Sequence, residues 1–322
     1  MGVSRSRVVS SHLSNSPFDP GNHAAYRRWR DAKLRDYPTD TAAITVAVRD
    51  PRALTPREKQ ALTGICRKTN LAVYATDGRN AADKDLPKLL GAQFGLMRLD
   101  SNPLADQDSI TSLQYVSEKS GRGYIPYSNR RLLWHTDGYY NPPERRIRAF
   151  ILHCVSSAAK GGENALLDHE IAYIRVRDAS PEFIRALMAE DAMTIPPNTE
   201  EGTETRAAQS GPVFSVDPDT GCLHMRYTAR TRSIVWKDDA PTRAAVAFLQ
   251  SMFAADDPGM FHHRLEAGQG VITNNVLHNR SEFEDNVDGG GSRLLYRARY
   301  YDRIAGTCPT DTVSTGPDAL PQ

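Results

Sequence analysis

The spacing of hydrophobic residues predicts helices alternating with short strands in the first third of the chain. Helical spacing over residues 22–37 and a capping signal that begins at Thr55 predict two helices, and a third is expected over residues 83–94. Short apolar stretches over residues 43–48 and 71–76 predict strands between these helices.

From residue 109 onward the hydrophobic pattern changes to short alternating or continuous apolar stretches, which are typical of strands. Strands are predicted over residues 110–116, 124–137, 147–155, 165–167, 213–216, 223–227, 261–265, 270–278 and 293–301, and helices over residues 170–178, 181–189 and 242–253. Residues 196–210 are polar, and we expect them to be irregular. Many short strands with one or two inserted helices predict a barrel or a sandwich.

No break in composition separates independent units. We therefore predict one domain over residues 21–304, in which residues 21–108 form a lead-in layer of helices and strands. Residues 109–304 form its strand-rich core with a helical insert. Residues 1–20 and 305–322 are expected to be flexible.

Composition narrows the class of protein. The chain has 322 residues, of which 39% are hydrophobic and 25% charged, as in globular proteins. Its 40 basic and 39 acidic residues give a net charge of +1, which creates no global attraction for nucleic acid or anionic lipid. The polar first thirty residues lack the apolar core of a signal peptide, and no apolar stretch is long enough to cross a bilayer. We expect a cytoplasmic protein that binds a small molecule, and we leave a homo-oligomer open.

The cysteines give a further indication of the compartment. Cys66, Cys154, Cys222 and Cys308 are far apart in the sequence and form no Cys-x-x-Cys pair. This pattern favours reduced thiols in an intracellular protein over a disulfide framework.

The strongest chemical signal is His135 followed two residues later by Asp137. Side chains at positions i and i+2 of an extended chain leave the same face, so both can point at one small ion. A tetrahedral structural zinc site needs two further ligands, whereas the facial site of non-heme iron, with two histidines and one carboxylate, needs one. Among the nine histidines, His278 is the best third ligand because it ends an apolar strand.

The other histidines have simpler interpretations. His153 lies within an apolar strand and is expected to be packed there, while His169 near a helix start is expected at the surface or in a cap. His262 and His263 stand beside an arginine and are expected to be solvated. His224 is an alternative candidate for lining a pocket.

The last predicted strand is rich in arginine. A period of two places Arg293, Arg297 and Arg299 on one of its faces. These side chains would be solvated if that face met water. If it lines a barrel instead, a buried guanidinium needs an anion, and its planar fork suits a carboxylate. Such a pocket would suit a dicarboxylate that chelates a metal at one end.

Four motifs occur in the order found in the taurine dioxygenase (TauD/TfdA-like) family. They are Trp134-His135-Thr136-Asp137, Gly161-Gly162-Glu163-Asn164, Asn275-Val276-Leu277-His278-Asn279-Arg280 and Arg293-Leu294-Leu295-Tyr296-Arg297. The chain resembles this family over residues 124–301, and it is somewhat similar to the gamma-butyrobetaine hydroxylase relatives. The resemblance implies a mostly β fold with flanking helices and a double-stranded β-helix (jelly-roll) core.

The resemblance also implies roles for individual residues. His135, Asp137 and His278 would be the catalytic centre and would bind Fe(II). Arg293 would bind the distal carboxylate of 2-oxoglutarate. Asn164 would contact the same cosubstrate, although the family usually has a threonine there.

Three further residues are candidates for binding the primary substrate. Arg297 matches an arginine that meets an anionic substrate group in some members of the family. Tyr139 and Tyr140 follow the proximal ligands and would either face a cationic group or pack locally. Arg280 resembles a family arginine that we expect to support the site.

The implied activity is hydroxylation of an unactivated C–H bond in a small polar metabolite. It would use Fe(II), 2-oxoglutarate and O2, and it would release succinate and CO2. Two alternatives stay open, a zinc-dependent hydrolase with the same three ligands and a non-catalytic jelly-roll protein that binds a small ligand. The sequence also leaves open the substrate and the choice between hydroxylation and desaturation.

Overall fold

The computed structural model describes residues 16–79, 81–101, 108–115, 127–200, 203–285 and 292–308. Within these ranges six α-helices occur: α1 His23–Leu34, α2 Pro56–Thr69, α3 Leu86–Ala92, α4 His169–Ala179, α5 Pro181–Leu187 and α6 Ala240–Ala254. The strands are β1 Thr45–Ala47, β2 Leu71–Ala75, β3 Thr111–Gln114, β4 Leu132–His135, β5 Ala149–Ser156, β6 Lys160–Gly161, β7 Asn164–Leu167, β8 Met193–Ile195, β9 Asn198–Glu200, β10 Thr203–Arg206, β11 Gln209–Gly211, β12 Phe214–Val216, β13 Leu223–Met225, β14 Val235–Trp236, β15 Met260–His263, β16 Gln269–Thr273, β17 Leu277–Arg280, β18 Phe283–Glu284 and β19 Leu294–Tyr300. The strand-rich architecture expected from the sequence is present.

Two sheets carry the site. The larger one has the strand order β1-β2-β16-β5-β19-β3, with a single parallel pair, β1 and β2. The smaller one is antiparallel, with the order β15-β7-β17-β4. Leu152 and Val271 of the larger sheet share a buried cluster with Leu166 and Phe261 of the smaller sheet. The two sheets therefore face each other across a common apolar core.

The outer face of the larger sheet is covered by α2 and α3, whose buried Leu62 and Leu90 pack in one cluster with Ile151 and Ile272. The start of α2 is fixed by the capping box that the sequence predicted. The Thr55 Oγ1 accepts a hydrogen bond from the backbone N–H of Glu58, and the Glu58 carboxylate accepts one from the N–H of Thr55 at 2.7 Å. The cap satisfies two backbone donors that helix formation leaves unpaired.

The inserted helices cover the outer face of the smaller sheet. Ile171 and Ile174 of α4 and Leu249 of α6 are buried in a cluster that also contains Leu167 of β7 and Leu277 of β17. This layer therefore buries the outer faces of β7 and β17.

Three element predictions need correction. The strand expected over residues 270–278 is two strands in different sheets, because Asn275 adopts a left-handed conformation (φ 54°) and turns the chain between β16 and β17. The irregular stretch expected over residues 196–210 contains β9, β10 and β11. The long strand expected over residues 124–137 is limited to β4, and residues 124–126 lie outside the described ranges.

The ends of the chain are held more firmly than the sequence suggested, as far as they are described. The predicted flexible segments lie mainly in residues 1–15 and 309–322, which fall outside the described ranges. Phe18, however, is fully buried and packs edge-on against Trp29 and Tyr173. In the described part of the chain, no helix combines the length and apolar character needed to span a bilayer.

The expectation of reduced cysteines is wrong for one pair. Cys222 and Cys308 form a disulfide with a Cα–Cα distance of 5.7 Å, while Cys66 and Cys154 are buried free thiols. The disulfide closes a separation of 86 residues. Sequence spacing could not indicate it, because the pairing depends on the chain after β19 returning to the turn before β13.

Candidate metal centre

Three buried side chains from the smaller sheet converge on one point. His135 ends β4, Asp137 follows two residues later, and His278 lies on β17 directly opposite His135 in the antiparallel register. One ligand atom of each residue lies within 4.8 Å of the ligand atoms of the other two. The structure therefore brings together the three residues that the sequence singled out.

Backbone hydrogen bonds orient both imidazoles. The Nδ1 atom of His135 lies 2.9 Å from the Leu133 carbonyl, and that of His278 lies 3.0 Å from the Val276 carbonyl. A carbonyl can only accept, so each Nδ1 carries the proton and each Nε2 keeps its lone pair for a ligand. Burial, together with the neighbouring His278, lowers the pKa of His135 to about 3, and burial also lowers the pKa of His278. Both rings are therefore neutral near pH 7, as metal ligation requires.

Asp137 is positioned through its backbone by Asn275. The Asn275 Oδ1 accepts a hydrogen bond from the Asp137 N–H at 2.8 Å, and its Nδ2 donates to the carbonyls of Asp137 and Ile147. Gly138 then turns the chain with φ 66°, where a Cβ atom would lie 2.4 Å from the Ile147 side chain. The turn that presents the carboxylate therefore requires glycine.

The two carboxylate oxygens of Asp137 have different surroundings. Oδ1 accepts a hydrogen bond from Arg297 Nη1 at 3.1 Å, whereas Oδ2 is buried without a hydrogen-bond partner among the described residues. Burial alone would raise the pKa of Asp137, but the guanidiniums of Arg297 and Arg299 hold it below its usual value. The carboxyl group is therefore ionised, and Oδ2 is free to bind a cation.

This donor set fits a divalent first-row transition metal. Two neutral imidazole nitrogens and one carboxylate oxygen on one side of an ion form the facial arrangement that leaves other coordination positions for exogenous ligands. A buried carboxylate oxygen without a partner costs free energy, which a bound cation would offset.

A cavity adjoins His278 and is lined by Arg297 of β19 and by Arg293, which directly precedes β19. Arg293 and Arg297 line it together with Leu295, as the period of two predicts, and Asn164 of β7 lines it as well. The Arg293 side chain is buried against the Phe283 ring, with 5.0 Å between guanidinium and ring centroid. Its backbone N–H donates to Asp285, but the guanidinium forms no ion pair with a described residue.

The Arg293 guanidinium is buried, and this burial lowers its pKa. A buried guanidinium without an ion-pair partner favours an anionic ligand, and its two parallel donors match a carboxylate. The cavity is therefore suited to a carboxylate ligand beside the three candidate metal ligands.

Arg299 has a different environment from Arg293, although the period of two in the sequence predicts both on the same face of the strand. Arg299 is buried in an ion pair with Asp100 and donates to the Tyr140 hydroxyl at 3.2 Å. Arg280 donates to the carbonyls of Ser128 and Arg130 and thereby supports the approach to β4.

Tyr139 and Tyr140, the two tyrosines predicted to bind substrate, differ in their further contacts. They pack edge to face with a centroid distance of 5.2 Å. Tyr140 is engaged by Arg299 and lies under the guanidinium of Arg206, 5.4 Å from its ring centroid. Tyr139 lines a second cavity that begins at Asp137.

Several polar residues of this second cavity were missed by sequence reasoning. Arg146, Glu190 and Gln209 line it together with His224, which the sequence did mark as a candidate. Arg146 lies in the connection between β4 and β5, where no periodicity or motif identifies it. Asn275 begins one of the four motifs, but the sequence could not indicate its role, because its partner Asp137 is 138 residues away.

Residues 42–299 match the model of the taurine catabolism dioxygenase TauD, TfdA family. The chain belongs to this family. The membership predicted from the four ordered motifs is thus confirmed, and a dioxygenase is favoured over the zinc hydrolase and the non-catalytic binding protein.

Two curated proteins that are similar in sequence to this TauD/TfdA-family chain are uridine-5'-phosphate dioxygenases. The protein from Amycolatopsis sp is 34% identical over 179 residues, which are 52% of this chain and 60% of the relative. The protein from Streptomyces sp is 29% identical over 199 residues, which are 60% of this chain and 69% of the relative. The first match thus spans less than two thirds of the Amycolatopsis protein.

Solved structures of non-heme iron oxygenases have a similar fold. Asparagine oxygenase in complex with Fe(II), 3-hydroxyasparagine and succinate gives a TM-score of 0.57 at 15% identity, covering 92% of both chains. The oxygenase OrfP in complex with Fe and alpha-ketoglutaric acid gives 0.55 at 17% identity, covering 76% of this chain and 82% of that one. At these identities the likeness concerns the fold.

Proposed function

We propose that this chain is an Fe(II)- and 2-oxoglutarate-dependent dioxygenase with a double-stranded β-helix core. In this proposal it hydroxylates an unactivated C–H bond of a small polar metabolite. The observation that carries the proposal is the convergence of His135, Asp137 and His278 beside a cavity that contains the buried guanidinium of Arg293. Family membership and the oxygenase fold support it.

Each candidate residue has its own binding role in this proposal. His135, Asp137 and His278 hold the iron, and Arg293 binds the distal carboxylate of 2-oxoglutarate, with Asn164 contacting the same cosubstrate. When bound, iron and 2-oxoglutarate activate O2 for C–H hydroxylation, with succinate and CO2 as the other products.

Arg297 has two roles in this proposal. Its hydrogen bond to Asp137 Oδ1 directs the other oxygen, Oδ2, toward the metal. Because Arg297 also lines the cavity of Arg293, its guanidinium contributes positive charge to an anionic substrate or cosubstrate. Tyr139 borders the substrate. Tyr140, held in place by the hydrogen bond from Arg299, supports the substrate through its edge-to-face contact with Tyr139.

The first candidate substrate is uridine-5'-phosphate, because the two curated relatives are named for it. The test is a screen in which the protein receives Fe(II), 2-oxoglutarate, O2 and one candidate at a time. The panel contains uridine-5'-phosphate, uridine, asparagine and arginine, and succinate release and the substrate mass are measured. We expect the nucleotide to raise succinate release above the substrate-free level, and Asp137→Ala to abolish the increase.

The outcomes of the screen separate the activity from the substrate. Succinate release stimulated by an amino acid but not by the nucleotide would support the dioxygenase and reject the nucleotide. If the wild-type protein neither bound Fe(II) nor converted 2-oxoglutarate with any candidate, the proposed function would be wrong.

A further inference from the structure

Two guanidiniums that the metal centre does not use line the second cavity. It extends from Asp137 to Arg146 and Arg226, and its carboxylates are Asp137, already bonded to Arg297, and Glu190. Glu190 is exposed and forms no ion pair with a described residue. Two guanidiniums therefore line this cavity without a carboxylate paired to either.

Arg146 is the less constrained of these two guanidiniums. It follows the short 3-10 helix Pro143–Arg145, is partly buried, and its side chain makes no hydrogen bond or ion pair with any residue in the described ranges. By contrast, the nearby Arg148 is ion-paired with Asp217 at 2.9 Å. Arg226 donates to the carbonyls of Met193, Gln209 and Gly211, so it is fixed by the protein itself.

Burial lowers the pKa of both guanidiniums in the cavity. Burial, followed by repulsion from Arg148, lowers the pKa of Arg146. The weaker attraction of Asp217 and Glu190 opposes this shift. Burial and then Arg146 lower the pKa of His224 well below its usual value, so the His224 ring is neutral near pH 7. A neutral imidazole can exchange hydrogen bonds with a ligand without adding charge. A partly desolvated guanidinium without an ion-pair partner is unfavourable unless an anion binds.

We propose that Arg146 is a specificity-determining residue that binds a compact oxyanion group of the primary substrate, a phosphate monoester in the case of uridine-5'-phosphate. The planar fork of the guanidinium can bind two phosphate oxygens at once. The rest of the substrate then extends along the cavity toward Asp137. This inference rests on the proposed function and adds the subsite that selects an anionic substrate.

The test is anaerobic calorimetry on the full chain loaded with Fe(II) and 2-oxoglutarate. Uridine-5'-phosphate and uridine are titrated into the wild type, Arg146→Gln and Arg146→Lys. Arg185→Gln, which removes an exposed positive charge on α5, is the matched control. We expect the wild type to prefer the phosphate ester by about tenfold or more, and Arg146→Gln to lose about tenfold of that preference with little change for uridine. Arg146→Lys should retain part of it, and Arg185→Gln should match the wild type.

Three results would overturn the inference. They are an unchanged preference in Arg146→Gln, equal binding of nucleotide and nucleoside by the wild type, and no binding of either. The charge-transfer absorption of the Fe(II)–2-oxoglutarate chelate is recorded on the same samples before titration. Its absence from the wild type would reject the proposed function, whereas its presence together with any of the three results would reject only the role of Arg146.

Discussion

His135 and His278 occupy directly opposed positions on β4 and β17, with 4.2 Å between their ring centroids. The antiparallel register therefore sets the metal centre. A shift of one residue would move an imidazole to the other face of its strand. The turn at Asn275 contributes to this register because it separates β17 from β16 and places the two strands in different sheets.

Arg293→Ala should weaken the binding of 2-oxoglutarate by about 10- to 100-fold, because a charge-assisted bidentate contact is lost. Fe(II) binding should be little affected, since among the described residues Arg293 forms no hydrogen bond or ion pair with any of the three ligands. The measurement is the 2-oxoglutarate concentration that gives half-maximal charge-transfer absorption. Arg293→Lys, which keeps the charge without the fork, should be intermediate. An Arg293→Ala variant with unchanged affinity for 2-oxoglutarate would contradict the assignment.

Asn275→Gly should lower the affinity for Fe(II) by roughly 10- to 100-fold, as expected when a group that orients a metal ligand is lost. Glycine accepts the left-handed backbone at this position, so the substitution removes the hydrogen bonds to Asp137 and Ile147 without straining the turn. Anaerobic Fe(II) titration measures the effect.

Asn275→Ala is the matched comparison for the same position. It removes the same hydrogen bonds and adds strain at φ 54°. It should therefore unfold at a lower denaturant concentration than Asn275→Gly while binding Fe(II) equally weakly. Full Fe(II) affinity in both variants would show that Asn275 does not orient Asp137.

Loss of the Cys222–Cys308 disulfide should reduce the free energy of unfolding by about 4.6 kcal/mol, the chain-entropy value for a loop of this length. Denaturant unfolding with and without a thiol reductant measures the difference. The double variant Cys222→Ser/Cys308→Ser should match the reduced wild type and should not respond to the reductant. Identical unfolding of the oxidised and reduced wild type would be incompatible with a stabilising disulfide.

His153 should make stability fall at mildly acidic pH. It is fully buried, its Nε2–H donates to the Ala81 carbonyl, and its Nδ1 accepts from the Tyr74 hydroxyl. Burial lowers the pKa of His153 to about 4. Between this value and an unfolded pKa of about 6.5, the unfolded chain binds a proton that the folded chain does not. The stabilisation is therefore complete above the unfolded pKa and is lost as the pH falls toward the folded one.

The variant His153→Gln tests this pH dependence. Between pH 7 and pH 5 its free energy of unfolding should fall by about 2 kcal/mol less than that of the wild type. Urea unfolding at the two pH values measures both. Equal losses in the two proteins would rule out a contribution from His153.

Local periodicity was sufficient to predict much of the centre. His135 and Asp137 share a face because they are two residues apart on extended chain, and Arg293 and Arg297 share one for the same reason. His278 could be singled out because it follows an apolar strand. Each of these inferences needs only neighbouring residues and the period of a strand.

Features that depend on distant parts of the chain could not be predicted in this way. The pairing of Cys222 with Cys308 and the hydrogen bonds between Asn275 and Asp137 arise from tertiary proximity. Arg146 lies in an irregular connection, so no period relates it to the cavity that it lines. The left-handed turn that divides residues 270–278 was missed because asparagine also occurs in ordinary strands.

Anaerobic titration with Fe(II) in the presence of 2-oxoglutarate tests the central assignment most directly. The wild type should develop the charge-transfer absorption of the chelate and saturate at a single Fe(II) per chain. His278→Ala should not develop it at the same concentrations while retaining the wild-type far-ultraviolet circular dichroism. A folded His278→Ala variant that titrated like the wild type would contradict the assignment of His278 as an iron ligand and, with it, this account of the metal centre.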